Sequence, residues 1–215
     1  MKNEFITRVL SSIVLLPIIF FLIIKGSYFF FILLISCFFI SLYEWHLLSK
    51  NKSYHLVGFI FLIFSFFTIY QIRMIENNSY YNFLIILLIC ILTDIGGYVF
   101  GKTFKGPKLT SYSPNKTISG LIGSYLLSLL IVPFLIYFNL YEKSHAFILI
   151  LFVILISTVS QIGDIIISFF KRKSNIKDTG KLIPGHGGIL DRIDGMIFAF
   201  PFAYLIILFN LFIHI

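Results

Sequence analysis

Ala146–Phe170 reads AFILILFVILISTVSQIGDIIISFF, with Asp164 as its one charged residue. About 20 residues of helix cross a hydrocarbon core of ~30 Å, and lipid offers no partner to backbone N–H and C=O groups. A run this long and this apolar predicts a transmembrane helix, and no period-two alternation argues for a strand. Further apolar runs lie at Val9–Ile24, Tyr28–Tyr43, Leu56–Ile72, Tyr80–Phe100, Ile118–Phe138 and Met196–Ile213. The expected fold is therefore an all-α integral membrane protein, a polytopic helical bundle of about seven transmembrane helices with a polar site on its cytosolic face. The first two runs are short for a full crossing and would also suit a re-entrant hairpin.

Composition agrees. Of the 215 residues 59% are hydrophobic and 12% charged, where soluble domains carry about 25% charge. One membrane domain over residues 1–215 is expected, with N-terminal spans in 1–90 and a catalytic portion in 91–215. Lys2 and Arg8 precede the first apolar run as in a signal peptide. No small-residue cleavage site follows, so a retained span is expected. Cys37 and Cys90 sit in apolar runs with no metal-ligand spacing and read as small buried hydrophobes.

With seven spans and a cytosolic N-terminus, only Lys25, Arg73 and Lys143 of the 17 Lys and Arg residues fall outside. That bias sets the orientation, with the N-terminus and the polar site cytosolic, and the expected location is the inner cell membrane, multi-pass. It also accounts for most of the +8 net charge, which suits anionic headgroups. Nucleic acid is not an expected partner, because the aromatic residues lie in the spans and not among the basic residues. Tyr43, Trp45 and His46 read as an interfacial belt, and His55, His145 and His214 as loop or boundary residues.

Three polar features break the apolar pattern. Asp94, in Leu92-Thr93-Asp94-Ile95-Gly96-Gly97, and Asp164, in Gln161-Ile162-Gly163-Asp164, are ionisable residues within spans. Such residues usually face a cavity or a partner, since burial in lipid costs ~2.5–3.5 kcal/mol. The third is Ser168–Asp194, which holds Lys171, Arg172, Lys173, Lys177, Lys181 and Arg192 beside Asp178, Asp191 and Asp194. Its Pro184-Gly185-His186-Gly187-Gly188 lets backbone N–H groups approach a phosphate, and Asp191 and Asp194 share a helix face. Carboxylates of this kind suit Mg²⁺, which takes one or two of them and completes its shell with phosphate and water. The cations suit phosphate oxygens. Ser113-Pro114-Asn115-Lys116-Thr117 falls on the same side. A transporter with a charged pathway is the non-enzymatic alternative, but it predicts charge spread over both faces.

The run Ser168-Phe-Phe-Lys171-Arg172, Lys177-Asp178, Gly180, Ile183-Pro184, His186-Gly187-Gly188, Asp191-Arg192-Ile193-Asp194 resembles the signature of the phosphatidate cytidylyltransferases, or CDP-diglyceride synthetases. Asp94–Gly101 with Ser113-Pro114 and Lys116-Thr117 is similar to the second polar region of that family. The likeness covers about Leu92–Phe202. Three positions depart from it: Ile167 stands where the family usually has Glu, and Ile118 and Ser119 where it tends to carry Trp and an acidic or amide residue. The CDP-alcohol phosphotransferase pattern is matched only in part, by Asp191–Gly195.

The resemblance implies a transferase of phospholipid biosynthesis: CTP plus phosphatidic acid gives CDP-diacylglycerol plus pyrophosphate. It implies Mg²⁺ as cofactor, with or without a second cation, in a membrane-lipid setting, and a homodimer, although no interface pattern is legible here. Asp164 and Asp191 are the expected metal ligands, with Asp94 and Asp194 assisting. Asp164, Asp191, Lys116 and Lys171 are the expected catalytic set. Ser113, Lys116, Thr117, Lys171, Arg172, Lys177, Asp178, His186, Gly187, Gly188 and Arg192 are expected to bind substrate.

Overall fold

The computed structural model describes residues 17–74, 80–110, 113, 116–182 and 187–209. Its regular elements are helical: α1 (17–25), α2 (Ser27–Ser49), α3 (His55–Met74), α4 (Tyr80–Phe104), α5 (Ile118–Leu129), α6 (Ile131–Tyr137), α7 (Ala146–Lys173), α8 (Leu190–Ile193) and α9 (Met196–Leu208). A 3-10 turn, Lys143–His145, leads into α7. Among the described residues, five segments are long and apolar enough to cross a membrane: Tyr28–Ser49, His55–Met74, Tyr80–Phe104, Ile118–Tyr137 and Lys143–Lys173. The sequence predicts seven. The first of those lies partly outside the described residues, and the last, α9, ends at Leu208 with Phe209 as its cap, shorter than the other five.

Local chemistry explains where the helices extend and bend. The second run proves longer than the sequence predicts, since α2 continues to Ser49 and is long enough to cross a membrane. Polar groups in that last stretch find partners: Ser49 Oγ meets His55 Nδ1 at 2.7 Å, and Trp45 Nε1 donates to the His55 carbonyl at 3.0 Å. Trp45 is thus not part of an interfacial belt. It is 4% exposed and packs edge-on against Phe170, joining α2 to α7. Pro133 lacks the N–H that would reach back to Leu129, and the fifth segment breaks there into α5 and α6. Pro201 inside α9 likewise frees the Ile197 carbonyl. Ser65 Oγ of α3 donates to that carbonyl, so the defect becomes a tie between helices.

Two apolar clusters fill the bundle. One gathers Ile86, Ile89, Phe152, Val153 and Phe200 from α4, α7 and α9. The other, nearer the polar loops, gathers Trp45, Leu48, Leu62, Phe66, Ile167, Leu190 and Ile197. Helices α4 and α5 approach more closely than side chains would allow. A Cβ on Gly120 would lie 2.7 Å from the Gly97 carbonyl oxygen, and one on Gly96 would strike the Gly123 carbonyl. Small residues that let backbones meet are a common membrane-helix interface. Ser124 Oγ adds a hydrogen bond to the Thr93 carbonyl at 2.8 Å.

Gly96→Ala forces two backbones apart, which neither can avoid by a rotamer change. It is expected to cost about 1–3 kcal/mol, seen as a lower unfolding temperature of the purified protein in detergent. An unchanged transition would mean that the helices do not cross at this distance.

Candidate active site

Helix α7 carries Gln161, Asp164, Ser168 and Lys171 at spacings of three, four and three, so all four share one face. That face meets the C-terminal half of α4, the loop before α5, and the chain returning through α8. Between them lies a cavity of about 470 Å³, lined by Asp94, Lys116, Thr117, Asp164, Lys171, Asp191, Arg192 and Asp194 among others. Asp94 and Asp164, separate in sequence, therefore look into one space.

Two ion pairs organise it. Lys116 Nζ sits 2.5 Å from Asp164 Oδ2 and also donates to the Gln161 carbonyl at 3.4 Å. The loop that delivers Lys116 is held by pairing of Leu109 N to the Lys116 carbonyl at 2.8 Å and of Ile118 N to the Pro107 carbonyl at 3.1 Å. Thr117 then caps α5 by accepting from Gly120 N at 3.1 Å. Ser113 lines the cavity one turn earlier, its carbonyl accepting from Lys116 N at 3.0 Å.

The second pair is Lys171 Nζ on Asp191 Oδ1 at 2.9 Å, with side chains 11% and 6% exposed. Asp191 Oδ2 accepts from Thr179 N at 2.8 Å and Gly188 N at 3.0 Å, so this one carboxylate fixes both ends of the glycine loop. Burial pushes the Asp191 carboxyl up, but the Lys171 ammonium and the two backbone N–H groups outweigh it and hold it below the usual carboxylate range. Gly187 takes φ +85°, a conformation L side chains rarely adopt, and a Cβ there would lie 2.7 Å from Asp191 Oδ2.

Asp194 follows on the turn into α9, 8% exposed, and accepts from Gly195 N at 2.9 Å. Burial pushes its carboxyl well above the ordinary range, and the Asp164 charge adds to the push. Among the described residues no three His, Cys, Asp or Glu side chains converge as a ready metal cage. The cavity wall nevertheless carries Asp94, Asp164, Asp178, Asp191 and Asp194 against Lys116, Lys171 and Arg192. Five carboxyl groups thus face three bases, and the push on Asp194 is what crowded carboxylates produce; a divalent ion at this wall would relieve it.

The other expected site residues are placed differently. Arg172 is exposed and donates to the Ile176 carbonyl at 3.3 Å, closing the end of α7. Lys177 is exposed and does not line the cavity. Asp178 lines its edge, next to Gly187. His186 lies outside the described residues. Ile167 packs in the apolar cluster with Trp45 and Leu190, away from the cavity lining.

Sequence reasoning passes over Glu44, which is 3% exposed and accepts hydrogen bonds from Thr179, Ile189 and Leu190. Its local signal, one carboxylate in an apolar run, is the same that marks Asp94 and Asp164. Its aromatic neighbours Tyr43 and Trp45 point instead to a membrane interface. Gln161 is also part of the site, through its carbonyl and its place on the cavity wall.

The profile of the cytidylyltransferase family matches residues 50–210. The phosphatidate cytidylyltransferase of Rickettsia bellii is 35% identical over 214 residues, covering 95% of this chain and 91% of that protein. That of Rickettsia felis is also 35% identical, covering 95% and 93%. The phosphatidate cytidylyltransferase of Staphylococcus haemolyticus is 36% identical over 174 residues, 78% of this chain. The chain spans 65% of the length of that staphylococcal relative.

Replacing Lys171 by Met strands Asp191 in a buried position, and removal of one partner of a buried pair costs about 3–5 kcal/mol. Lower thermal stability and faster proteolysis within 177–190 are expected. The pH dependence has a definite sign. Because the folded Asp191 value is depressed, its contribution is complete above the unfolded value of about 3.9 and is lost only as pH falls through the lower folded value. Wild-type loop protection should therefore persist from neutral pH down to about 4, measured by limited proteolysis. Loss of protection near pH 6 in the wild type would contradict the pairing.

Proposed function

The chain belongs to the cytidylyltransferase family, and from that membership we propose that it works as a phosphatidate cytidylyltransferase, converting CTP and phosphatidic acid to CDP-diacylglycerol and pyrophosphate. The observation that carries the reading to this chain's own residues is the single cavity walled by Asp94, Lys116, Asp164, Lys171, Asp191 and Asp194. A phosphate oxygen of the lipid attacks the α-phosphorus of CTP, the bond from that phosphorus to the oxygen bridging to the β-phosphate breaks, and pyrophosphate leaves.

The nucleophile needs no general base. A phosphate monoester has its second pKa near ~6 and is mostly dianionic at neutral pH, and among the described residues no histidine lines the cavity. The difficulty is the approach of two polyanions. Lys116 and Lys171, fixed by their carboxylate partners, and Arg192 on the cavity wall are the cations this chain offers to the phosphates. Because Gly187 and Gly188 carry no side chain, the loop backbone can lie close to the nucleotide.

Mg²⁺ is the cofactor that suits these oxygen donors; Asp164 and Asp194 would hold it, with Asp94 beside them. When bound it would screen the phosphates and stabilise charge on the departing pyrophosphate. Asp191 stands on the same wall with its oxygens accepting from Lys171, Thr179 and Gly188, so it also holds the loop and the ammonium in place. In this reading the cavity opens on the cytosolic side of the inner membrane, the side that gathers most of the Lys and Arg residues.

Purified protein is expected to transfer labelled CMP from CTP to phosphatidic acid in detergent, with Mg²⁺ required and ATP a poor substitute. Asp164→Asn should lower kcat/KM by about a hundredfold or more. Equal turnover of ATP would sink the nucleotide assignment, and full activity in chelator would sink the metal.

A further inference from the structure

Beneath the glycine loop lies a carboxylate that the reaction does not use. Glu44, near the end of α2, is 3% exposed. Its Oε2 accepts from Thr179 Oγ1 at 2.9 Å and from Leu190 N at 2.8 Å, and its Oε1 accepts from Ile189 N at 3.0 Å. A carboxylate is an acceptor only, and burying one is costly unless its lone pairs are filled. Here all three donors come from the segment around the loop, and both carboxylate oxygens are used. Gly180 and Gly188 press on the same group: a Cβ on Gly180 would lie 2.5 Å from Glu44 Oε1, and one on Gly188 would strike both carboxylate oxygens.

Thr179 is held twice. Its N–H goes to Asp191, and its hydroxyl goes to Glu44. Gly188 N–H goes to Asp191, while the next two N–H groups, of Ile189 and Leu190, go to Glu44. The two carboxylates thus grip the loop from opposite sides, Asp191 from the cavity and Glu44 from the bundle.

We propose that Glu44 is the positioning residue for the two ends of the glycine loop, Thr179–Gly180 and Gly188–Leu190, setting where they and the Lys171–Asp191 pair meet the substrate phosphates. It follows that α2 is part of the catalytic unit, although Glu44 precedes the segment, 50–210, that matches the family. The phosphate contact rests on the cytidylyltransferase reading; the grip on the loop does not.

Glu44→Gln keeps the size but turns one acceptor into a donor that faces an N–H group. Hydrogen exchange of the purified full chain, followed by mass spectrometry, is expected to quicken about tenfold or more in peptides covering 177–193, the loss of one hydrogen bond to a charged group. Exchange in α4 and α7 should not change. In the CMP-transfer assay the KM for CTP should rise about tenfold, with the KM for phosphatidic acid unchanged, and Glu44→Asp should recover part of it. Thr179→Val removes one donor without touching α2 and should give a smaller rise in exchange in the same peptides, which also covers the case of a Glu44 variant that does not fold. Unchanged exchange in 177–193, or a uniform rise across all helices, overturns the proposal. A local rise in a protein whose wild type does not turn over CTP upholds the positioning role and overturns only the reading of the reaction.

Discussion

A charge placed inside an apolar helical bundle has to be balanced from within it, and two ion pairs meet that requirement here. Lys116 on Asp164 ties the loop before α5 to the middle of α7. Lys171 on Asp191 ties the end of α7 to the chain returning toward α9. Each pair draws segments distant in sequence to one face of α7, and each leaves an ammonium at the cavity wall. Pairs shielded from water in this way are weak evidence for net stability, because desolvation offsets much of the attraction. Their value lies in where they put the charges.

The rest of the bundle can be understood as what that placement demands. Asp94 reaches the cavity because α4 and α5 cross with glycine on both sides, bringing the Asp94 turn beside Thr117 and Lys116. Asp194 reaches it because α9 is tied to α3, with Ser65 serving the carbonyl that Pro201 orphans. The two ends of the glycine loop, at Thr179 and at Gly188–Leu190, are held by carboxylates, Asp191 on one side and Glu44 on the other. Rigid spans with a short polar loop pinned between them are a sound way to keep phosphate-binding groups fixed.

The helical class was legible because 20-residue apolar runs have one solution in lipid, and the site region because lone carboxylates and a mixed-charge glycine segment have few innocent explanations there. Asp164 and Lys116 could each be singled out, but their contact depends on how α5 packs against α4 and α7, which no local pattern encodes. Charge type alone does not say that Arg172 and Lys177 would be exposed and outside the cavity lining while Lys116 and Lys171 line it. Glu44 carried the right signal and was obscured by Tyr43 and Trp45, whose amphipathic rings suit a membrane interface equally well. Trp45 proved to be core because Phe170 and the His55 carbonyl supply what the headgroup region otherwise would. The length of α2 was underread for the same reason, since polar residues near its end have protein partners.

The central claim is that carboxylates from separate helices form one site for a metal–nucleotide complex, and metal binding tests it most directly. Mn²⁺ titrated into the purified protein with CTP and followed by electron paramagnetic resonance reads the bound ion without turnover. The account predicts that Asp164→Asn weakens Mn²⁺ binding by about tenfold or more, while Glu142→Gln, at an exposed carboxylate outside the cavity lining, leaves it as in the wild type. Equal Mn²⁺ affinity in Asp164→Asn and wild type would contradict it.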